Sequence, residues 1–184
     1  IVTHRDAAML LHAILTRDFA VTAPAAPVTL VNAADVNIND YLLALWQVPE
    51  PVLAAFNVAG WTYCIDFDYM GGLSKKLNMS CIGATNYSQK TIYLSDASAT
   101  LHEFGHFLDW RLGFPVEHEH LYLAEAQNSG LRDYAKTNAI EYFADCFDYW
   151  ITYSADKKRM DDFRDAAPQT YAYMKKLATN NWGA

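Results

Sequence analysis

Ala99-Thr100-Leu101-His102-Glu103-Phe104-Gly105-His106-Phe107-Leu108-Asp109 is the stretch whose reading decides the fold. It sets His-Glu-x-x-His inside an apolar helical pattern. Two His four positions apart lie on one face of an α-helix, roughly 6 Å apart, so both imidazoles can reach one metal ion. Glu103 sits about 100° round the same helix, off the ligand face but beside a water bound to such a metal. Two ligands and a general base from one helical turn suit zinc-assisted hydrolysis.

The flanks support the helix. Ser95 or Asp96 can cap its start, and Gly113 followed by Pro115 can end it. Leu101, Phe104, Phe107 and Leu108 supply a buried stripe. A bare His-Glu-x-x-His also occurs as two surface His on an amphipathic helix. That reading accounts neither for Glu103 between them nor for the apolar residues around the motif.

A catalytic zinc site usually has a third protein ligand and an open position. A second helix is expected over 138–154, capped by Thr137 or Asn138. On it Glu141 and Asp145 share a face, continued by Asp148 and Thr152, while Phe143, Phe147 and Trp150 fall mostly elsewhere. Glu141 is assigned as third ligand. Asp145, one turn on, would accept a hydrogen bond from the outer nitrogen of a ligand His and fix its tautomer. Glu141 has a competing role as capping-box partner of Asn138, and Asp145 one as a solvated carboxylate. Other zinc patterns fit worse: Leu112 stands where a third His would be needed, and Asp109 where a Gly would be.

These residues resemble the catalytic domain of anthrax-toxin lethal factor and the related secreted Pro-Pro endopeptidases. His102-Glu103-Phe104-Gly105-His106, followed by an apolar pair and Asp109, carries the likeness. So does Glu141-Tyr142-Phe143-Ala144-Asp145-Cys146-Phe147, similar to the family's Glu-aromatic-Phe-Ala-acid-x-Phe helix. Tyr134 lies seven residues before Glu141, where the family places a catalytic tyrosine. Ala167-Pro168-Gln169-Thr170-Tyr171-Ala172-Tyr173 is similar to the family's C-terminal Pro-x-Thr-aromatic segment. The likeness runs from about residue 60 to the end, more faintly from about residue 37, and does not reach the first 35 or so. It implies a zincin-like zinc endopeptidase with His102, His106 and Glu141 as ligands, Glu103 as base and Tyr134 as oxyanion stabiliser. It also implies a secreted or extracellular setting. Asp145 departs from the pattern, standing where the family has Glu.

The chain of 184 residues reads as a single domain, with a helix and linker of unclear role over 1–36 and a catalytic core over 37–184. It is 52% hydrophobic and 14% aromatic, which argues against disorder. Net charge is −7 without a basic block, which argues against nucleic acid. No apolar run approaches the roughly 20 residues of a membrane span. No signal peptide is read, but the chain begins at Ile1 rather than Met, so this says little about export. A monomer is expected. Cys64, Cys81 and Cys146 are too few for a disulfide scaffold; Cys64 and Cys81 could pair, and Cys146 reads as a buried thiol.

Elsewhere, helices are expected over 5–18, 38–47 and 52–58, and strands over 28–31 and 61–67. Residues 70–77, with Gly71-Gly72, read as a loop. Residues 80–87 and 91–94 read as a hairpin, and the helix over 163–178 is clearest after Pro168. Strands, then the metal helix, then more helices suggest an α+β domain with one small mixed sheet. In zinc peptidases an edge strand commonly binds extended peptide by β-augmentation. Cys81 to Thr85, with Ile82, Gly83 and Ala84 at its centre, is the candidate here. Glu117-His118-Glu119-His120 reads as a solvated loop. The expected partner is a protein or peptide in extended form. Two other functions compete: a zincin-fold binding module without catalysis, and a zinc hydrolase of a non-peptide amide. An intact Glu103 and Tyr134 count against the first.

Overall fold

Thr62 to Ile65 is rich in β-branched and aromatic side chains, and in a computed structural model it forms one of the two inner strands of a small sheet. The structure describes residues 26–183, which divide into two compact units, one through Thr100 and the other from Leu101. The helix expected over 5–18 lies outside the described residues.

The first unit holds the sheet. Its strands are β1 (Leu30–Asn32), β2 (Thr62–Ile65), β3 (Gly83–Asn86) and β4 (Thr91–Leu94), in the order β1-β2-β4-β3. β1, β2 and β4 run parallel, and β3 pairs antiparallel with β4 as the expected hairpin. Helix α1 (Asn39–Leu45) stops four residues before α2 (Glu50–Val58), which takes Pro51 into its first turn, where a missing N–H costs nothing. Leu42, Leu45, Val52, Phe56, Trp61, Tyr63, Ile65, Ile92 and Leu94 are buried. The Phe56 and Trp61 rings lie 5.8 Å apart.

One expectation fails in this unit. Residues 70–77 are not a loop but most of helix α3 (Phe67–Leu77). The Asp66 carboxylate accepts from Tyr69 N at 2.8 Å and caps its start. Met70 anchors it at 1% exposure, and Asn78 closes it in the left-handed region at φ 53°. Gly71 and Gly72 are exposed and weaken the helix without breaking it. The three cysteines are free, so Cys64 and Cys81 do not pair.

The second unit is helical: α4 (Thr100–Leu112, its first residue belonging to the other unit), α5 (Val116–Glu125), α6 (Ala139–Tyr153), α7 (Lys157–Ala166) and α8 (Pro168–Thr179). Residues 101–109 of α4 are buried on every side, not along a stripe alone; His102, Glu103, His106 and Asp109 are enclosed with the apolar residues. Gly113, at φ +81°, ends α4 as expected. The Glu117-His120 segment is not a solvated loop. Pro115 starts a helix there instead of preventing one, and His118 and Leu121 on it are buried. His118 Nδ1 pairs with Asp109 Oδ1 at 2.8 Å, Nε2 with the Tyr173 hydroxyl at 3.0 Å, and the ring stacks on Phe143. The Glu125 carboxylate accepts from Gln169 N and Thr170 N at 2.9 and 2.8 Å, capping α8 from outside it. Pro168 in the first turn and Thr170, bonded to the Tyr142 hydroxyl, account for the Pro-x-Thr-aromatic segment.

Candidate metal centre

Helices α4 and α6 touch backbone to backbone at Gly105 and Ala144, where a Cβ on Gly105 would meet Ala144 Cα at 2.6 Å. Only glycine admits this approach. It brings a turn of α4 carrying two His against a turn of α6 carrying two carboxylates. Asn138 fixes the start of α6, its Oδ1 accepting from Ile140 N and Glu141 N at 3.0 Å each. Asn138 thus binds the Glu141 amide, while the Glu141 carboxylate points to the imidazoles.

Glu141 Oε2 lies 3.1 Å from His102 Nε2 and 3.3 Å from His106 Nε2, and the two nitrogens are 3.1 Å apart. His102 Nδ1 pairs with Asp145 Oδ1 at 2.6 Å. The aspartate arm therefore reaches the ring directly. Glu103 is buried at 4% exposure and its charge acts on His102. Tyr134, on a 3-10 turn (Asp133–Lys136), is 41% exposed, with its ring centroid 5.9 Å from that of His102. Asp148 follows on the α6 face and accepts from Thr152. Ile82, Gly83 and Ala84 lie at and before the edge strand β3 of the first unit.

The electrostatics follow from the contacts. Burial opposes charge on His102, yet hydrogen bonds to Asp145 and Glu141 and the Glu103 charge win and raise it to about 9. Burial likewise opposes the Glu141 carboxylate, but the two imidazoles hold it well below the usual carboxylate range. Asp145 is lowered against its own burial by His102 and Arg132. Burial pushes Asp148 upward.

The residues fit zinc. Bonds of about 2.0–2.2 Å at tetrahedral angles set neighbouring donors about 3.3–3.6 Å apart, so the donors need open by only a few tenths of an ångström. The donor triangle here measures 3.1, 3.1 and 3.3 Å. The donor chemistry agrees. Once Nε2 loses its proton, with the Nδ1 hydrogen given to Asp145, His102 offers a lone pair at Nε2. That lone pair faces a carboxylate oxygen and a second imidazole nitrogen, a set that calls for a cation.

Residues 67–177 match the family described as "Anthrax toxin lethal factor, N- and C-terminal domain". The chain belongs to this family. No curated protein matches it in sequence. Among solved structures it is similar to the PRO-PRO endopeptidase PPEP-2 from Paenibacillus alvei, with a TM-score of 0.58 and 16% identity over 82% of this chain and 96% of that one. At that identity the likeness carries the fold, α+β and zincin-like.

Two parts of this centre carry little signal in the sequence. Gly105 and Ala144 had a faint signal, as small residues among bulky apolar ones. Arg132 had none: it is one charged residue in a polar loop, without periodicity. Its fork holds Asp145, Nε to Oδ2 at 2.6 Å and Nη2 to Oδ1 at 2.5 Å.

Proposed function

We propose that this chain is a zinc-dependent endopeptidase, with zinc held by His102, His106 and Glu141. The triangle of converging donor atoms carries the reading, and the lethal-factor family and the fold of a Pro-Pro endopeptidase support it. Bound zinc supplies Lewis acidity, which lowers the pKa of water towards about 7 and polarises a carbonyl. Glu103, on the metal helix but off its ligand face, takes the proton of the attacking water and passes it to the leaving amine. The Tyr134 hydroxyl, on an exposed turn beside His102, donates to the developing oxyanion. Asp145 accepts the Nδ1 hydrogen of His102 and keeps Nε2 turned to the metal.

The substrate is an extended peptide, and the half-buried edge strand β3, with Ile82, Gly83 and Ala84, is the segment suited to pairing with it. The toxin relatives favour a setting outside the cell. The test combines metal analysis with a peptide-library cleavage screen. One zinc per chain, markedly weaker in Glu141→Ala, and cleavage lost in Glu103→Ala support the proposal. Zinc with no cleavage of any peptide leaves the binding module or the amide hydrolase instead.

A further inference from the structure

Asp145 is the acceptor behind the His pair, on the outer nitrogen of His102. The corresponding nitrogen of the other ring, His106 Nδ1, is buried without a partner among the described residues. The orientation of the pair thus rests on one short arm, and an aspartate has little reach to spare. The Asp145 carboxylate is held in turn by Arg132 through two bonds, one to each oxygen, a bidentate fork that fixes direction as well as distance. Arg132 Nη2 also lies 3.1 Å from His102 Nδ1. When that nitrogen carries the hydrogen given to Asp145, both Arg132 hydrogens go to the carboxylate. Arg132 immediately precedes the turn that carries Tyr134, and its guanidinium carbon lies 5.4 Å from the centre of the Tyr134 ring. One side chain therefore touches the orienting carboxylate and the tyrosine together.

We propose that Arg132 is a positioning residue: its fork fixes the Asp145 carboxylate, so that the short aspartate arm holds His102 Nδ1 and aims Nε2 at the metal. This rests on the zinc reading above and deepens it. Arg132 contacts no donor atom of the triangle and acts through Asp145. Its side chain is 58% exposed and lines a cavity of about 260 Å³ with Asp148, Tyr149 and Arg159, so a replacement meets open space and not a packed core.

The test is a chelator competition for zinc with the full chain, comparing wild type, Arg132→Gln and Arg132→Lys. Loss of an outer partner of a ligand typically costs about 10–100-fold in metal affinity. Arg132→Gln should fall in that range with its thermal unfolding little changed. Arg132→Lys, which keeps a charge but not the fork, should fall between. A second readout is the His102 Nδ1 proton in NMR of the zinc-loaded protein, protected in wild type and exchanging in Arg132→Gln. If Arg132→Gln does not fold, Arg132→Lys carries the comparison. Wild-type affinity and a protected proton in the variants would overturn the proposal. Full restoration by lysine would also overturn it, reducing the fork to bare charge. A wild type that binds no zinc would sink the zinc reading itself, a separate and recognisable result.

Discussion

Gly105 and Ala144 are in backbone contact: the space that any Cβ at position 105 would need is taken by the α-carbon of residue 144. The contact sets how close α4 and α6 can lie, and so the size of the donor triangle that spans them. Gly105→Ala should push the helices apart. Overpacking of this kind costs about 1–3 kcal/mol. The informative outcome is the metal: zinc affinity should fall along with stability. Unaltered affinity in a destabilised variant would mean that the donors adapt to the helix spacing.

Glu103→Gln should keep zinc and fold but reduce hydrolysis by about 10²–10⁴-fold, the usual contribution of a general base. Turnover on scaled peptide substrates, with metal content measured on the same samples, checks this. A variant retaining more than about a tenth of wild-type turnover does not fit a general base at this position.

Tyr134→Phe removes one hydroxyl from an exposed turn. If that hydroxyl acts mainly in the transition state, kcat and kcat/KM should fall together, by about 10²–10³-fold, with KM little changed. A rise in KM alone would make Tyr134 a substrate-binding residue, and near-normal kcat would make it a packing one.

Zinc binding should depend on pH through His102. In the metal-free protein its folded pKa, about 9, lies above its ordinary 6.5. The stability from its pairing is thus fully present below 6.5 and is lost as pH rises through about 9. Zinc needs the unprotonated nitrogen, so affinity should rise about tenfold per pH unit across that window and then level. Unfolding temperatures with and without zinc at several pH values would show the zinc increment growing with pH. An increment flat over the window would refute the coupling.

Gly71→Ala and Gly72→Ala should each stabilise the first unit by about 0.5–1 kcal/mol, since an exposed helical glycine costs that much relative to alanine. A Cβ at either position meets nothing within 4 Å. Denaturant titration measures it, and destabilisation would mean that the glycines serve a contact partner.

Helices α4 and α6 are legible because their signals are local. A fixed His spacing, an Asn cap and apolar periodicity all lie within a few turns, and the hairpin likewise showed itself by alternation and a short turn. The errors at residues 70–77 and 117–120 share one cause. Gly71-Gly72 and Pro115 are breakers by local propensity, but a cap at Asp66, an anchor at Met70 and burial of His118 and Leu121 override them. The single helix expected over 163–178 is two, the end of α7 and α8, and α7 escapes notice because its first half is mostly charged, with Met160 its buried residue there. Arg132 was invisible because its meaning lies in a contact 13 residues away.

Glu125 reaches the first amides of α8 across 44 and 45 residues of chain. A buried carboxylate deprived of its donors costs about 1–3 kcal/mol or more. Clipping the chain between α7 and α8 would therefore strand a charge at the end of α5, the helix whose His118 pairs with Asp109 on α4. A protease cut near the end of this chain is in that sense not a peripheral event: its cost is felt at a carboxylate deep in the second unit, in a protein proposed to cut peptides itself.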